Sequence, residues 1–317
     1  MSIKVMVLGV VLAVLGASAA PWIELSPINV PRVGARACVL DGKIYLVGGE
    51  DPEGKVAPLE VYNPQADSWT VLGPSPLIAA GGHVVAAVGD AIFVFAGETP
   101  EGERFRGGFF WEVGPGEPSW EQVPGAATMG HSDGAGAAVG SRIYLITGED
   151  DALENEGEDY VRVVDVFDAS TMTWTTAASI EPYQREDCDA VALGGRIIVL
   201  GGQGGLANAA VSWLNIYDTD TDTWAHYDEG APFPWEHPRL AVLDGLVYAL
   251  TGRGEGGFVN LRLDLSTMEW TDLTPCPTPM SEPAVIAYEG KIFVIGGETL
   301  DGVILNTVWV YDPDLEE

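Results

Sequence analysis

Cations and cysteines are scarce in this chain. Its 317 residues carry 15 Lys plus Arg against 47 Asp plus Glu, a formal net charge of -32 at pH 7. So acidic a surface repels phosphate backbones, which excludes nucleic acid as a partner. The three cysteines, Cys38, Cys188 and Cys276, match neither zinc-site nor redox CxxC spacing, and they cannot all pair within one chain. One disulfide is allowed by the count and the spacing does not choose it; the three read mainly as small apolar fillers. Histidine is rare too, with four in all, and there is no HExxH helix, no Gly-rich phosphate loop and no recognisable setting for a Ser or Cys nucleophile. No metal and no cofactor is called for by motif.

Long apolar runs are missing everywhere except at the N-terminus. There Met1-Ser2-Ile3-Lys4 is followed by an apolar run from Val5 to Leu15 and by Gly16-Ala17-Ser18-Ala19-Ala20-Pro21. One positive charge, a short apolar core and small residues predict a secretory signal peptide over 1–19, cut after Ala19. A membrane anchor is the alternative. No Cys follows the run to accept a lipid, and no second run is long enough to span a bilayer. The mature chain, 20–317, is therefore expected to be secreted or periplasmic, outside the cytoplasm and free of the membrane.

What the chain does have is 40 Gly, 21 Pro and 10 Trp, with short Val/Ile/Leu runs between turn residues. This pattern predicts an all-β protein. Its most conspicuous acidic run, Asp218-Thr219-Asp220-Thr221-Asp222-Thr223-Trp224, begins like a calcium-binding EF-hand loop and places Glu229 at the twelfth position, but Thr223 stands where the sharp turn needs Gly. Self-comparison explains the run differently. The segment LDGKIYLVGGE, Leu40 to Glu50, returns five times, with its last glycine at Gly49, Gly97, Gly148, Gly202, Gly252 and Gly297. Gly48, Gly201 and Gly296 complete a pair in three units, and Ala96, Thr147 and Thr251 stand there in the others. Downstream, an aromatic or apolar residue lies seven before a Trp: Tyr62 and Trp69, Phe167 and Trp174, Tyr217 and Trp224, Leu263 and Trp270, with Trp111 and Trp120 a looser copy. The Asp/Thr run fills the turn between the two members of one such pair, where side chains that bond nearby backbone are favoured.

These residues resemble the kelch repeat: a Gly pair ending an apolar strand, then Tyr and Trp at fixed spacing, in units of roughly 50 residues. The resemblance covers nearly all of the mature chain and implies a six-bladed kelch-type β-propeller of four-stranded antiparallel blades around a channel. The last copy stops at Tyr311-Asp312-Pro313 without its Trp, whereas Trp22 to Pro27 matches Trp69 to Pro74. The N-terminal strand, about 21–28, is thus expected to pair in the last blade and close the ring, removing an exposed edge.

In such a blade the post-glycine loops share a face with the loops between blades, and loops on a rigid scaffold carry binding. The inter-blade loops hold Arg32, His83, His131, Asp133, Arg185, Asp187, Trp235, His237 and Glu282. Kelch repeats commonly carry Pro-Arg-x-Gly-His there, so Arg32, Arg185 and His83 are weighed as braces between blades. His131, Asp133, Trp235 and His237 depart from that pattern and are expected to face a ligand. The residue after the repeat glycine is Glu50, Glu98, Glu149 and Glu298 in four units, Gln203 and Arg253 in the others. On a ring these carboxylates would concentrate negative potential and draw a basic partner. The expected function is a non-catalytic module that binds a protein or glycan. The alternative is a mutarotase or lyase, similar to the secreted kelch sialic-acid mutarotase, using His and carboxylates at the channel mouth; convergence of His131, Asp133, Arg185 and His237 on one cavity would favour it.

Overall fold

A computed structural model describes residues 20–156, 160–205, 209–254 and 258–316. The expected signal peptide lies outside the described residues. Among the described residues, six four-stranded antiparallel sheets form the blades, with a three-stranded and a two-stranded sheet in the loops. Blade 1 runs Arg36–Leu40, Lys43–Val47, Leu59–Asn63, Ser68–Gly73, and blade 2 runs Gly81–Val88, Ala91–Glu98, Gly108–Glu112, Glu121–Gln122. Blade 3 is Ala135–Val139, Arg142–Ile146, Val164–Asp168, Thr173–Ala177, and blade 4 is Asp189–Leu193, Arg196–Leu200, Leu214–Asp218, Thr223–Tyr227. Blade 5 is Arg239–Leu243, Leu246–Leu250, Leu261–Asp264, Glu269–Asp272. Blade 6 takes Ala284–Tyr288, Lys291–Ile295 and Val308–Tyr311 from the C-terminal end and its outer strand, Trp22–Leu25, from the N-terminal one.

The first strand of every blade packs against the first strand of the next, and blade 6 returns to blade 1, so the sheets close a ring. Second strands such as Ile44-Tyr45-Leu46-Val47 and Ile197-Ile198-Val199-Leu200 are buried throughout because a neighbouring blade covers each face. Six apolar clusters result, one in each gap between blades; the gap between blades 6 and 1, for example, holds Ile44, Tyr62, Phe293 and Val308. Burying an aromatic or branched side chain of this kind contributes about 1.5–3 kcal/mol.

The outer edges repeat one device. Trp69, Trp120, Trp174, Trp224 and Trp270 each donate their indole N–H to a carbonyl of the preceding blade's exit segment, respectively Ser26, Pro74, Pro124, Ala178 and Gly230, at 2.8–3.2 Å. Trp22 makes the sixth such bond, to Thr274 at 2.9 Å. It also faces Tyr311 across the strand pair at 5.1 Å, as Trp69 faces Tyr62 at 5.0 Å. The N-terminal strand therefore replaces the missing member in every interaction that the others make.

The Asp/Thr run is a hairpin turn. Asp218 accepts from the Asp220 and Thr221 backbone N–H groups at 3.1 and 3.0 Å, and Asp222 accepts from the Tyr217 hydroxyl at 2.6 Å and from Ala178 N–H at 2.8 Å. Asp67 does the same for Tyr62 and Ser26. All three cysteines are free, Cys38 and Cys188 of them buried.

Candidate functional site

The loop entering each blade carries two positions, two residues apart, with opposite fates. The first is Arg32, Ala80, His131, Arg185, Trp235 and Met280, all buried. Four of these meet one backbone acceptor, the carbonyl at the first position of the glycine pair. Arg32 Nη1 donates to Gly48 O at 3.1 Å, His131 Nδ1 to Thr147 O at 2.7 Å, Arg185 Nε to Gly201 O at 2.5 Å and Trp235 Nε1 to Thr251 O at 2.9 Å. The pair turns through left-handed backbone, with φ +63° at both Gly48 and Gly201, and this carries the carbonyl off the sheet ladder. Unpaired and buried, it would cost about 1–3 kcal/mol. Arg, His or Trp is therefore interchangeable at this position. Where Thr147 replaces the first glycine, its hydroxyl bonds Arg185 O at 2.6 Å and stitches the turn to blade 4. Gly202, at φ +98°, is strict: a Cβ there would sit 2.3 Å from Glu186 O.

Arg32 also pairs with buried Glu60 at 2.5 Å, His131 with Asp165 at 3.0 Å, and Arg185 bonds Asn215 Oδ1 at 2.6 Å. His83, which follows the second-position Gly82 in blade 2, is buried on Val47 O at 3.1 Å. Burial, reinforced by the charge on Arg36, pushes its pKa down to about 3, so the ring is neutral. Arg32, His83 and Arg185 are thus braces. So are His131 and Trp235, against the expectation that they face a ligand, because the same freed carbonyl claims their donors.

The second position is Gly34, Gly82, Asp133, Asp187, His237 and Glu282, with φ between +49° and +71° in all six blades. Backbone bonds tie them into a collar: Asp187 N–H to Asp133 O at 2.7 Å, His237 N–H to Asp187 O at 3.0 Å and Gly34 N–H to Glu282 O at 3.0 Å. Left-handed backbone favours glycine, and a non-glycine residue in it is a strained choice that clusters at functional positions. Four blades nevertheless place Asp, Asp, His or Glu here, half-buried at the channel mouth. His237 Nδ1 lies 3.2 Å from Asp187 Oδ1 and 3.8 Å from Glu282 Oε1, and Gln203 Nε2 donates to Asp187 Oδ2 at 3.0 Å. The collar leaves a cavity of about 20 Å³. Burial, then the charges of Asp133, Glu186 and Glu282, push the Asp187 carboxyl up to about 8 against the pull of Arg239. Burial and Glu282 raise Asp133 likewise.

Outside the collar lies a second ring. Each post-glycine residue pairs, as an antiparallel bridge or short strand, with the residue just before the collar position: Glu50 with Val33, Glu98 with Gly81, Glu149 with Ser132, Gln203 with Glu186, Arg253 with Glu236 and Glu298 with Ser281. The rim is not uniformly anionic. Arg104 pairs with Glu149 and Asp151, and Arg106 clamps Asp150 at 2.5 Å. Burial and the neighbouring Glu186 push Glu149 up to about 7, with Arg104 opposing; burial and Asp133 raise Glu98. These two arginines had no repeat signal to mark them.

Beneath the collar, the position two further on reads Arg36, Val84, Ala135, Asp189, Arg239 and Ala284. Arg36 Nη1 bonds Asp189 Oδ1 at 3.1 Å, joining blades 1 and 4 across the channel. Aligning the repeats by column, rather than by motif, would have exposed these charges at a position otherwise held by small apolar residues.

His131 and Arg185 are thus locked between blades, and only Asp133 and His237 of the proposed quartet reach the mouth. The fold and these loops define a repeat β-propeller that gathers its variable side chains on one face. The KLHDC2/KLHL20/DRC7 Kelch-repeats domain matches residues 130–317 and the Kelch motif matches residues 31–76. The chain belongs to the kelch-repeat family. Among curated relatives it is similar to Kelch-like protein 36 of Bos taurus, 27% identical over 74% of this chain and 36% of that protein. It is similar also to Kelch-like protein terF of Aspergillus terreus, 24% identical over 95% of this chain and 68% of that one, and to human Kelch-like protein 34, 26% identical over 76% and 38%. The chain spans about a third of the length of most of these relatives, such as the 36% of the bovine protein.

Proposed function

We propose that this chain is a protein-binding module that receives a basic segment of its partner on the face bearing the collar and the rim. The observation that carries this reading is the convergence of six repeat-equivalent loops on one face, where glycine positions of the collar have been given to Asp133, Asp187, His237 and Glu282. Kelch-like relatives support the interaction role, and the net charge of -32 with the Glu50, Glu98, Glu149 and Glu298 rim supports a basic partner. Because such steering is electrostatic, it accelerates association and weakens with salt. The proposed place of action is outside the cytoplasm, after removal of residues 1–19; N-terminal sequencing of the exported protein tests that separately.

To test the face, the parent and a Glu50/Glu98/Glu149/Glu298→Gln variant are immobilised and exposed to the proteins of the source culture supernatant and envelope. Basic proteins retained by the parent and lost from the variant are expected. An identical retained set would refute the assignment of the face.

A further inference from the structure

Below the collar the channel widens to a cavity of about 220 Å³. At roughly 30 Å³ per water, this is room for about seven waters, or for a small organic ion. Its walls are the small and branched residues of the innermost strands, among them Val85, Ala137, Val191 and Val285, and its charged end is Arg36, Asp189 and Arg239. Two of those three charges are accounted for. Arg36 pairs with Asp189, whose other oxygen accepts Leu240 N–H at 2.8 Å.

Arg239 is different. It is buried, its Nε has no partner, and its Nη1 reaches only Pro238 O at 3.4 Å. No carboxylate pairs with it among the described residues. A guanidinium taken out of water without a counterion carries a large desolvation cost, which an anion seated on it would offset. The nearby acids do not fill that role: Asp189, already bonded to Arg36, and the collar acids Glu282 and Asp187 act on Arg239 only through space, and the Asp187 carboxyl holds its proton up to about 8. His83, the other titratable group lining the cavity, is neutral.

We propose that the central channel binds a small aliphatic monocarboxylate, with its carboxylate on the Arg239 guanidinium and its apolar body against Val85, Val191 and Val285. Guanidinium and carboxylate match as a two-bond fork, and the single guanidinium left without a paired carboxylate calls for a monoanion. The collar cavity of about 20 Å³ holds little more than a water, so the body of the ligand lies below it, toward the opposite, hairpin end of the channel. This site is separate from the acidic face and does not rest on the protein-binding reading.

The test is thermal unfolding of the chain with increasing butyrate, with chloride and phosphate at matched ionic strength as comparators. Butyrate is expected to raise the parent Tm saturably by roughly 5 °C, with no comparable rise from the inorganic ions. Arg239→Met should lose the butyrate shift while unfolding, without ligand, at or above the parent temperature, since the unpaired buried charge is gone. Arg239→Lys keeps the charge without the fork and should bind butyrate about tenfold more weakly; it serves if the Met variant does not fold. Equal rises with chloride or phosphate would overturn the carboxylate assignment. No saturable rise in the parent, or an undiminished one in Arg239→Met, would overturn the site.

Discussion

Arg32, His131, Arg185 and Trp235 sit two residues before Gly34, Asp133, Asp187 and His237, on the same loops of the same blades. Both sets vary among repeats, yet they vary for different reasons. At the first position the backbone imposes a task, to satisfy one freed carbonyl, and any sufficiently long donor performs it. At the second the backbone imposes a preference, for glycine, and the chain overrides it in four blades of six. Variation that serves a structural demand and variation that resists one look alike in a sequence. Only the geometry separates them.

The largest expected effect lies on the structural side of this contrast. Glu60→Ala leaves the Arg32 guanidinium buried without its carboxylate and should cost about 3–5 kcal/mol, read by urea unfolding. The paired change Arg32→Met with Glu60→Leu should recover most of that loss, because two apolar residues need no counterion. Recovery of less than half would mean that Arg32 is held by the Gly48 and Pro58 carbonyls rather than by its ion pair.

Next in size is a pH dependence confined to the collar. Asp187 binds its proton in the folded state up to about 8, far above an unfolded Asp, so between the unfolded pKa and about 8 the folded state holds the extra proton. Stability should therefore fall as pH rises through that window, by up to about 1.4 kcal/mol per pH unit. Asp187→Asn should flatten the slope between mildly acidic and mildly alkaline pH. The groups around it are Asp133, Glu186, Glu282, His237, Gln203 and Arg239, and a slope that survives the substitution would assign the shared proton to Asp133.

Much of the fold was legible because the repeat is written in residues with one physical job each. Gly49, Gly97, Gly148, Gly202, Gly252 and Gly297 mark where the chain turns through left-handed backbone, and Tyr62 with Trp69 marks a cross-strand pair. Trp22 could be placed in the last blade from its match to Trp69 alone. The site was half legible. The loops and the face follow from the repeat, but burial depends on whether the glycine turn 16 residues downstream aims a carbonyl at the side chain, and no local pattern encodes that for His131 or Trp235. Arg36, Asp189 and Arg239 escaped for another reason: each opens an apolar strand and reads as a surface charge until the ring closes over it.

A smaller effect should separate the collar from the braces directly. Glu282 holds φ +52°, which costs a residue with a Cβ about 1–2 kcal/mol relative to glycine, partly offset by the greater freedom of an unfolded glycine. Glu282→Gly should thus leave the fold as stable as the parent or up to about 1 kcal/mol more so, measured by thermal unfolding. The same glycine at Trp235 should cost at least the about 3–5 kcal/mol of a large-to-small core substitution. If both changes destabilise alike, the collar is a structural ring like the braces and its acids are not there for a partner.

The smallest effect on stability, and the one most informative about function, belongs to the rim. Changing Glu50, Glu98, Glu149 and Glu298 to Gln removes four carboxyl groups from side chains that are exposed or half-buried, and exposed pairs contribute about 0–1 kcal/mol each. Glu149 pairs with Arg104, and losing that carboxylate also leaves Arg104 with Asp151 alone of these two acids. The quadruple variant should therefore unfold within about 0.5 kcal/mol of the parent, with Glu149→Gln contributing a share of any deficit. Association with a basic partner should slow at low ionic strength and lose its salt dependence, with dissociation little changed, because charges of this kind act mainly on encounter. A parent-like association rate at both low and high salt would show the rim to be a solvated edge. The acids that matter would then be those of the collar, and the protonation of Asp133 and Asp187, both raised by burial, would set the charge at the channel mouth.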